Sequence, residues 1–117
     1  MTKFRLTLVT ENQKSLEKGK KLAELICGTL NCKNGYKISK YEKFENSYRI
    51  EIIGQITDKN SVVESIELTD RICSPWIVTY DRPKNNVELI FNKSDLSNFR
   101  SKEFNVLSWA QFEIENE

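Results

Sequence analysis

The feature that most constrains this 117-residue chain is a change in the spacing of its apolar residues. In FRLTLVT, residues 4–10, apolar and polar side chains alternate, which is typical of a strand with one buried face. From Ser15 to Leu30 the apolar residues recur at helical spacing and fall on one side of a helix. The chain is therefore predicted to combine strands with helices.

The second predicted helix begins at residue 61. Ser61 and Glu64 have the spacing of a capping box, in which each side chain satisfies a free backbone N–H of the first turn. Pro75 is expected to stop the helix. Its predicted buried stripe consists of Val62, Ile66, Thr69 and Cys73.

Three further segments are predicted to form strands. Residues 36–57 alternate on both sides of Glu45–Ser47 and predict a hairpin. Residues 76–92 predict a second hairpin, with Pro83 in its turn. A last strand is expected within residues 104–115, after a polar, irregular stretch.

This order of elements predicts one α+β domain spanning residues 1–117. Two helices are expected to pack on one face of a mainly antiparallel sheet. The order matches the split β-α-β arrangement of ferredoxin-like folds, with extra C-terminal strands. A chain of this length buries roughly two-thirds of its unfolded surface, so it can form a core without disulfides.

Histidine is absent, which removes the usual general base and the commonest metal ligand. Cys27 and Cys73 fall on predicted buried stripes, and only Cys32 is expected to be accessible. Carboxylate pairs such as Asp81 and Glu88, which could face each other across the second hairpin, are expected to be solvated surface. We therefore expect no enzyme activity, no metal site and no cofactor.

The charge is unevenly distributed along the chain. Residues 1–43 carry ten basic and four acidic side chains, whereas residues 44–117 carry eight basic and thirteen acidic ones. One basic side and one acidic side are therefore expected. Lys14, Lys18 and Lys21 form a stripe along the first helix, so nucleic-acid binding is the alternative function, although an ordinary solvated helix face is the more frequent origin of such a stripe.

The C-terminal strand offers a second candidate surface. Trp109 alternates with Ala110 and Phe112 along this strand. If Ala110 and Phe112 enter the core, the residues that point to the opposite, outer face are Leu107, Trp109, Gln111, Glu113 and Glu115. An exposed tryptophan inside a charged rim has the composition of a binding hot spot. The alternative is a strand covered on both faces, with Trp109 in the core.

SPWIVTYDRPKNNVELIF and SWAQFEIE, together with charge-rich helices, resemble the small immunity proteins that bacteria make beside polymorphic toxins. The resemblance includes those of contact-dependent growth inhibition systems. It implies a protein that binds a toxin domain and blocks its active site or functional surface. Many such toxins are nucleases, whose inhibitors present acidic groups where phosphates would lie.

The predicted function is thus that of a cytoplasmic immunity protein whose partner is a cognate toxin. Neither a membrane nor a small-molecule substrate is expected. The predicted contact residues are Trp109, Gln111, Glu113, Glu115, Asp81 and Glu88.

Overall fold

The fold is taken from a computed structural model that describes residues 2–33, 35–57, 60–84 and 86–115, with Glu115 described by its backbone alone. Its α-helices are α1 (Leu16–Leu30) and α2 (Ser61–Asp70). The strands are β1 (Thr2–Thr10), β2 (Tyr36–Lys40), β3 (Tyr48–Ile56), β4 (Cys73–Ser74), β5 (Ile77–Asp81), β6 (Asn86–Asn92), β7 (Asn98–Phe99) and β8 (Leu107–Glu115). A short 3-10 helix, Lys102–Val106, precedes β8.

Six strands form one antiparallel sheet in the order β2-β3-β1-β8-β6-β5. The short strands β4 and β7 pair separately. The predicted α+β class with a mainly antiparallel sheet is confirmed, and the described chain has two strands more than predicted. Among the described residues, neither helix combines the length and apolar character needed to cross a membrane.

One face of the large sheet forms the core. Phe4, Leu6 and Leu8 of β1 point into it, and the Phe4 ring stacks on that of Phe112 in β8, with 4.8 Å between the centroids. The apolar stripe of α1 covers this face at β2 and β3, and α2 lies against β6. Both helices therefore lie on one side, as predicted, and we call the opposite side of the sheet the outer face.

Helix α1 begins and ends as its sequence indicates. The Ser15 hydroxyl accepts a hydrogen bond from the backbone N–H of Lys18, 3.3 Å away, and caps the first turn. Asn31 ends the helix in the left-handed conformation, which asparagine tolerates better than most residues. The predicted buried stripe is confirmed except at its first residue, since Leu16 is 42% exposed. The buried members are Gly19, Leu22, Ala23, Ile26, Cys27 and Leu30.

Helix α2 differs from its prediction at both its cap and its stripe. The N-cap is Asn60, whose side chain accepts from the N–H of Val63 at 3.2 Å, so the capping box at Ser61 is wrong. Glu64 instead accepts from the backbone N–H of Thr57, 2.9 Å away. Thr69 is buried as predicted, but Ser65 is the buried residue one turn before it, whereas Ile66 is 44% exposed. The helix therefore packs through a face centred slightly to one side of the predicted stripe.

Two residues after α2, Cys73 and Leu107, also differ from their predicted locations. Helix α2 ends at Asp70 with Arg71 as its C-cap, so Pro75 is not the residue that stops it. Cys73 therefore lies beyond the helix, in β4, where it is buried. Leu107 was expected on the outer face beside Trp109, but it is fully buried. The cause is an irregularity between Val9 and Thr10, which shifts the β1–β8 register, so alternation in β8 begins only after Leu107.

Candidate functional site

Strand register arranges the side chains of the outer face in rows across the sheet. From β3 through β1 and β8 to β6, the rows are Arg49, Val9, Trp109 and Asn92; Glu51, Thr7, Gln111 and Ile90; and Ile53, Arg5, Glu113 and Glu88. Directly opposite residues in adjacent strands have Cβ atoms only about 5 Å apart. Each row therefore brings together side chains that are far apart in the sequence.

The position of Trp109 resolves the alternatives left by the sequence. Its neighbours Ala110 and Phe112 are fully buried in the core, so Trp109 points to the outer face, where it is partly buried. Gln111 and Glu113 follow it on the same face at the spacing of the pleat. Three of the predicted contact residues thus form one line along β8.

Glu88 joins this line from the neighbouring strand. It lies directly opposite Glu113, and its carboxylate accepts a hydrogen bond of 2.9 Å from the Gln111 amide. Like charges that face each other across two strands destabilise a sheet. Arg5 lies opposite Glu113 on its other side, and the two carboxylates together form a negatively charged part of the outer face.

Asp81 belongs to the same region, although not in the predicted pairing. Its register partner is Asn86, while Thr79 is the residue opposite Glu88, so the two acids do not face each other across the hairpin. Asp81, Glu88 and Glu113 nevertheless line one shallow depression of about 240 Å³. We call these three residues the acidic patch. The Glu115 side chain lies outside the described residues, and its backbone continues β8 opposite Lys3.

A larger groove lies at the other end of the outer face. Its volume is about 630 Å³, and Thr7, Val9 and Gln111 are part of its lining. Thr7 and Val9 are almost completely buried, although no core lies on their side of the sheet within the described chain. Half of its lining residues are cationic or aromatic, namely Arg5, Lys43, Arg49, Tyr41, Phe44 and Trp109, and Asn92, Ser108 and Glu113 contribute further polar groups. We call this cavity the aromatic groove.

The connection between β2 and β3 closes one side of the groove. Backbone hydrogen bonds hold this loop: Tyr41 donates to Ser47 at 2.9 Å, and Gln13 donates to Asn46 at 2.9 Å. The ring centroids of Tyr41 and Phe44 are 6.0 Å apart. Phe44 remains 58% exposed, so the loop presents an aromatic ring to solvent at the groove.

The lysines of the alternative site lie elsewhere. Lys14, Lys18 and Lys21 are all exposed, on the solvent side of α1 or just before it. The helix separates them from the sheet, so they do not join the outer face. They form a surface of their own, interrupted by Glu17 and Glu24.

The cysteines do not form a reactive or metal-binding centre among the described residues. All three are free thiols, and no group of three or more His, Cys, Asp or Glu in this part of the chain could hold a metal ion. Burial raises the pKa of Cys27 and of Cys32, and it raises the pKa of Cys73 to about 12. The thiolate, which is the nucleophile and the metal ligand, is therefore disfavoured at neutral pH.

The aromatic groove is the candidate site that the sequence patterns did not predict. Tyr41 and Phe44 lie in a loop without periodicity, and Arg5 and Arg49 belong to different strands. The alternation of β1 and β3 places each arginine on the outer face, but only the β1–β3 and β1–β8 registers bring them near Trp109. A prediction of those registers could have found the groove.

Comparison with known proteins adds no relative: no protein-family model, no curated protein and no solved structure matches the chain.

Proposed function

We propose that this chain acts by stoichiometric protein binding, as an immunity protein that neutralises a cognate bacterial toxin domain. The observation that carries the proposal is the line of Trp109, Gln111 and Glu113 on a sheet face that neither helix covers, with Glu88 beside it. The chain contributes no chemistry of its own in this proposal. It blocks the toxin's active site or functional surface by occupying it.

The composition of this surface supports a protein partner. A partly buried tryptophan next to hydrogen-bonding and charged groups matches the residues that dominate binding energy at protein interfaces. Around it, polar side chains can form the rim that excludes water. Trp109 is the proposed anchor, because a large flat side chain in a fixed position loses little conformational freedom on binding.

The acidic patch indicates the charge of the partner surface. Asp81, Glu88 and Glu113 would meet a lysine- or arginine-rich surface, and the carboxylates would steer its approach. A basic surface is what a nuclease uses to hold phosphates. A toxin that acts on nucleic acid is therefore the proposed partner class, and the cytoplasm is the proposed compartment.

We also propose that the four strands β2-β3-β1-β8 form a ferredoxin-like core, to which the β5-β6 hairpin was added at one edge. The order of these strands and the placement of both helices on one face support it. The added hairpin supplies Glu88 and Asp81. In this proposal the addition widens the outer face and supplies most of the acidic patch.

A double variant tests the function in cells. Trp109→Ala with Glu113→Lys removes the anchor and reverses one charge of the patch. Both side chains lie on the outer face, so the fold should persist, as measured by thermal unfolding. Cells that express the toxin domain encoded beside this gene should survive with the wild-type chain and die with the double variant.

A matched control uses the same kinds of change far from the outer face. Leu96→Ala with Glu67→Lys alters an exposed apolar residue and an exposed acid, neither of which lines the groove or the patch. This control should protect cells fully. Full protection by the Trp109→Ala, Glu113→Lys variant would refute the assignment of the surface.

A further inference from the structure

The aromatic groove has a chemistry different from that of the acidic patch. Three cations line it, Arg5, Lys43 and Arg49, whereas Glu113 is the single acid among its lining residues. Three aromatic side chains line it as well, from two separate parts of the chain. The groove therefore combines positive charge with flat apolar surfaces.

We propose that the aromatic groove binds a nucleotide unit, with its phosphate on the cations and its base against the aromatic rings. Positively charged grooves with aromatic side chains are the usual means of holding single strands without sequence preference. Such stacking is tolerant of sequence because every base has a π-face. The unit can belong to a single strand or to a free nucleotide, since both offer the same phosphate and base.

The dimensions of the groove fit this ligand. Its volume of about 630 Å³ lies within the 300–1,000 Å³ that is typical of small-molecule sites. Thr7 and Val9 give it a neutral floor on which a base can lie. The groove is open on its solvent side, as a continuing strand requires.

Arg49 and Lys43 can reach a phosphate group in the groove. Arg49 forms an ion pair of 2.7 Å with Glu51, but the arginine side chain is 48% exposed. Exposed pairs of this kind contribute little to stability, so an incoming phosphate can compete with Glu51 for the guanidinium. Lys43 lies over the Phe44 ring, 5.8 Å from its centroid, which places a cation beside the proposed stacking surface.

The lysine stripe of α1 lacks the second half of this chemistry. Residues 16–30 contain no aromatic side chain, and Glu17 and Glu24 lie among the lysines. The stripe can attract phosphate without holding a base. We therefore place the nucleotide site on the outer face and not on α1.

Two loop substitutions test the proposal. Lys43→Glu removes a cation, and Phe44→Ala removes an exposed ring. Since backbone hydrogen bonds of Tyr41 and Gln13 hold the loop, both variants should fold, which circular dichroism checks. The probes are fluorescein-labelled octauridylate, followed by anisotropy, and uridine 5′-monophosphate, followed by quenching of tryptophan fluorescence.

We expect the wild-type chain to bind octauridylate at low ionic strength, and each substitution to weaken binding about tenfold, the effect of losing one stacked base or one close charge. For about three phosphate contacts, the logarithm of the binding constant should fall with the logarithm of salt concentration with a slope of roughly −2. Binding of the monophosphate as well would identify a free-nucleotide site. Binding of the octamer alone would identify a strand site.

Matched controls locate the site. Lys18→Glu with Lys21→Glu reverses charge on α1, and Leu96→Ala removes an exposed apolar side chain in another loop; both should bind as the wild type does. Absence of binding to both probes would overturn the proposal. So would a loss of binding in the α1 variant that equals or exceeds the loss in Lys43→Glu. Because no toxin is needed, this result is independent of the immunity test.

Discussion

At the scale of single residues, two glycines occupy opposite environments. A Cβ atom added to Gly54, in β3, would lie 2.5 Å from the Phe4 ring and 3.0 Å from the sulfur of Cys32. Phe4 cannot easily move away, because it stacks on Phe112. A Cβ at Gly28, near the end of α1, would meet nothing within 4 Å.

Replacing each glycine by alanine should therefore change stability in opposite directions. Gly54→Ala overpacks the core and should lower the free energy of unfolding by about 1–3 kcal/mol. Gly28→Ala restricts the unfolded chain and should raise it by about 0.5–1 kcal/mol. Urea unfolding of the two variants gives both values. Equal stabilities for the two variants would contradict the close approach of β3 to Phe4.

The buried thiol of Cys73 should make the free energy of unfolding depend on pH. Burial raises its thiol pKa from about 9 in the unfolded chain to about 12 in the fold. The stabilising effect is thus complete below pH 9 and is lost as pH rises from about 9 towards 12, by up to about 1.4 kcal/mol per pH unit. Unfolding of the wild type should show this added slope over that range, compared with Cys73→Ser. Parallel curves for the two proteins would show that the thiol is not shielded.

At the scale of elements, the caps of the two helices show what sequence can predict. Helical spacing was predicted to begin at Ser15, and Ser15 is the N-cap of α1. Ser61 was predicted to cap α2, but the N-cap is its neighbour Asn60. Glu64, which favoured Ser61 through the capping-box spacing, bonds to Thr57 in the preceding strand, and this tertiary contact is invisible in a local pattern.

Substitutions at the two candidates distinguish them. Asn60→Ala removes the acceptor for the Val63 N–H and should cost about 1 kcal/mol of unfolding free energy. Ser61→Ala lies inside the first turn, where alanine has a higher helix propensity than serine, and should be neutral or slightly stabilising. Thermal unfolding measures both. A greater loss of stability in Ser61→Ala than in Asn60→Ala would support the capping box at Ser61 instead.

For the strands, too, the sequence predicts some features and not others. Strict alternation in β1, β3 and β8 predicts their inner faces, since each slip by one residue would bury charges. Leu107 departs from the alternation because of the irregularity at Val9 and Thr10, which depends on the partner strand. The short strands β4 and β7 have only two residues each, too few for an alternating pattern to indicate pairing.

At the scale of the whole molecule, the uneven charge of the sequence becomes a division of the outer face. Lys37, Lys3, Arg5 and Arg49 lie on β2, β1 and β3, with Glu51 among them. The acidic patch lies on the other three strands of the sheet. The sequence could predict that basic and acidic sides exist, but not that both lie on one face, because strand order depends on long-range pairing.

The same reasoning explains the partial prediction of the candidate site. Trp109, Gln111 and Glu113 share one strand, so alternation alone could place them together. Glu88 joins them through the β6–β8 register, in which it meets Glu113 and not Asp81. The aromatic groove needs a loop and two registers, and no local pattern encodes those. The outer face thus has two chemically different ends that share Glu113.

Titration calorimetry between this chain and the purified product of the reading frame next to its gene, where the proposed toxin domain would be encoded, tests the central claim most directly. We predict one-to-one binding by the wild type, weakened at least about thirtyfold by Trp109→Ala, which is the effect of a hot-spot residue. The Leu96→Ala, Glu67→Lys control should retain the wild-type affinity. Unchanged affinity of both Trp109→Ala and Glu113→Lys would contradict the claim that the outer face is the binding surface.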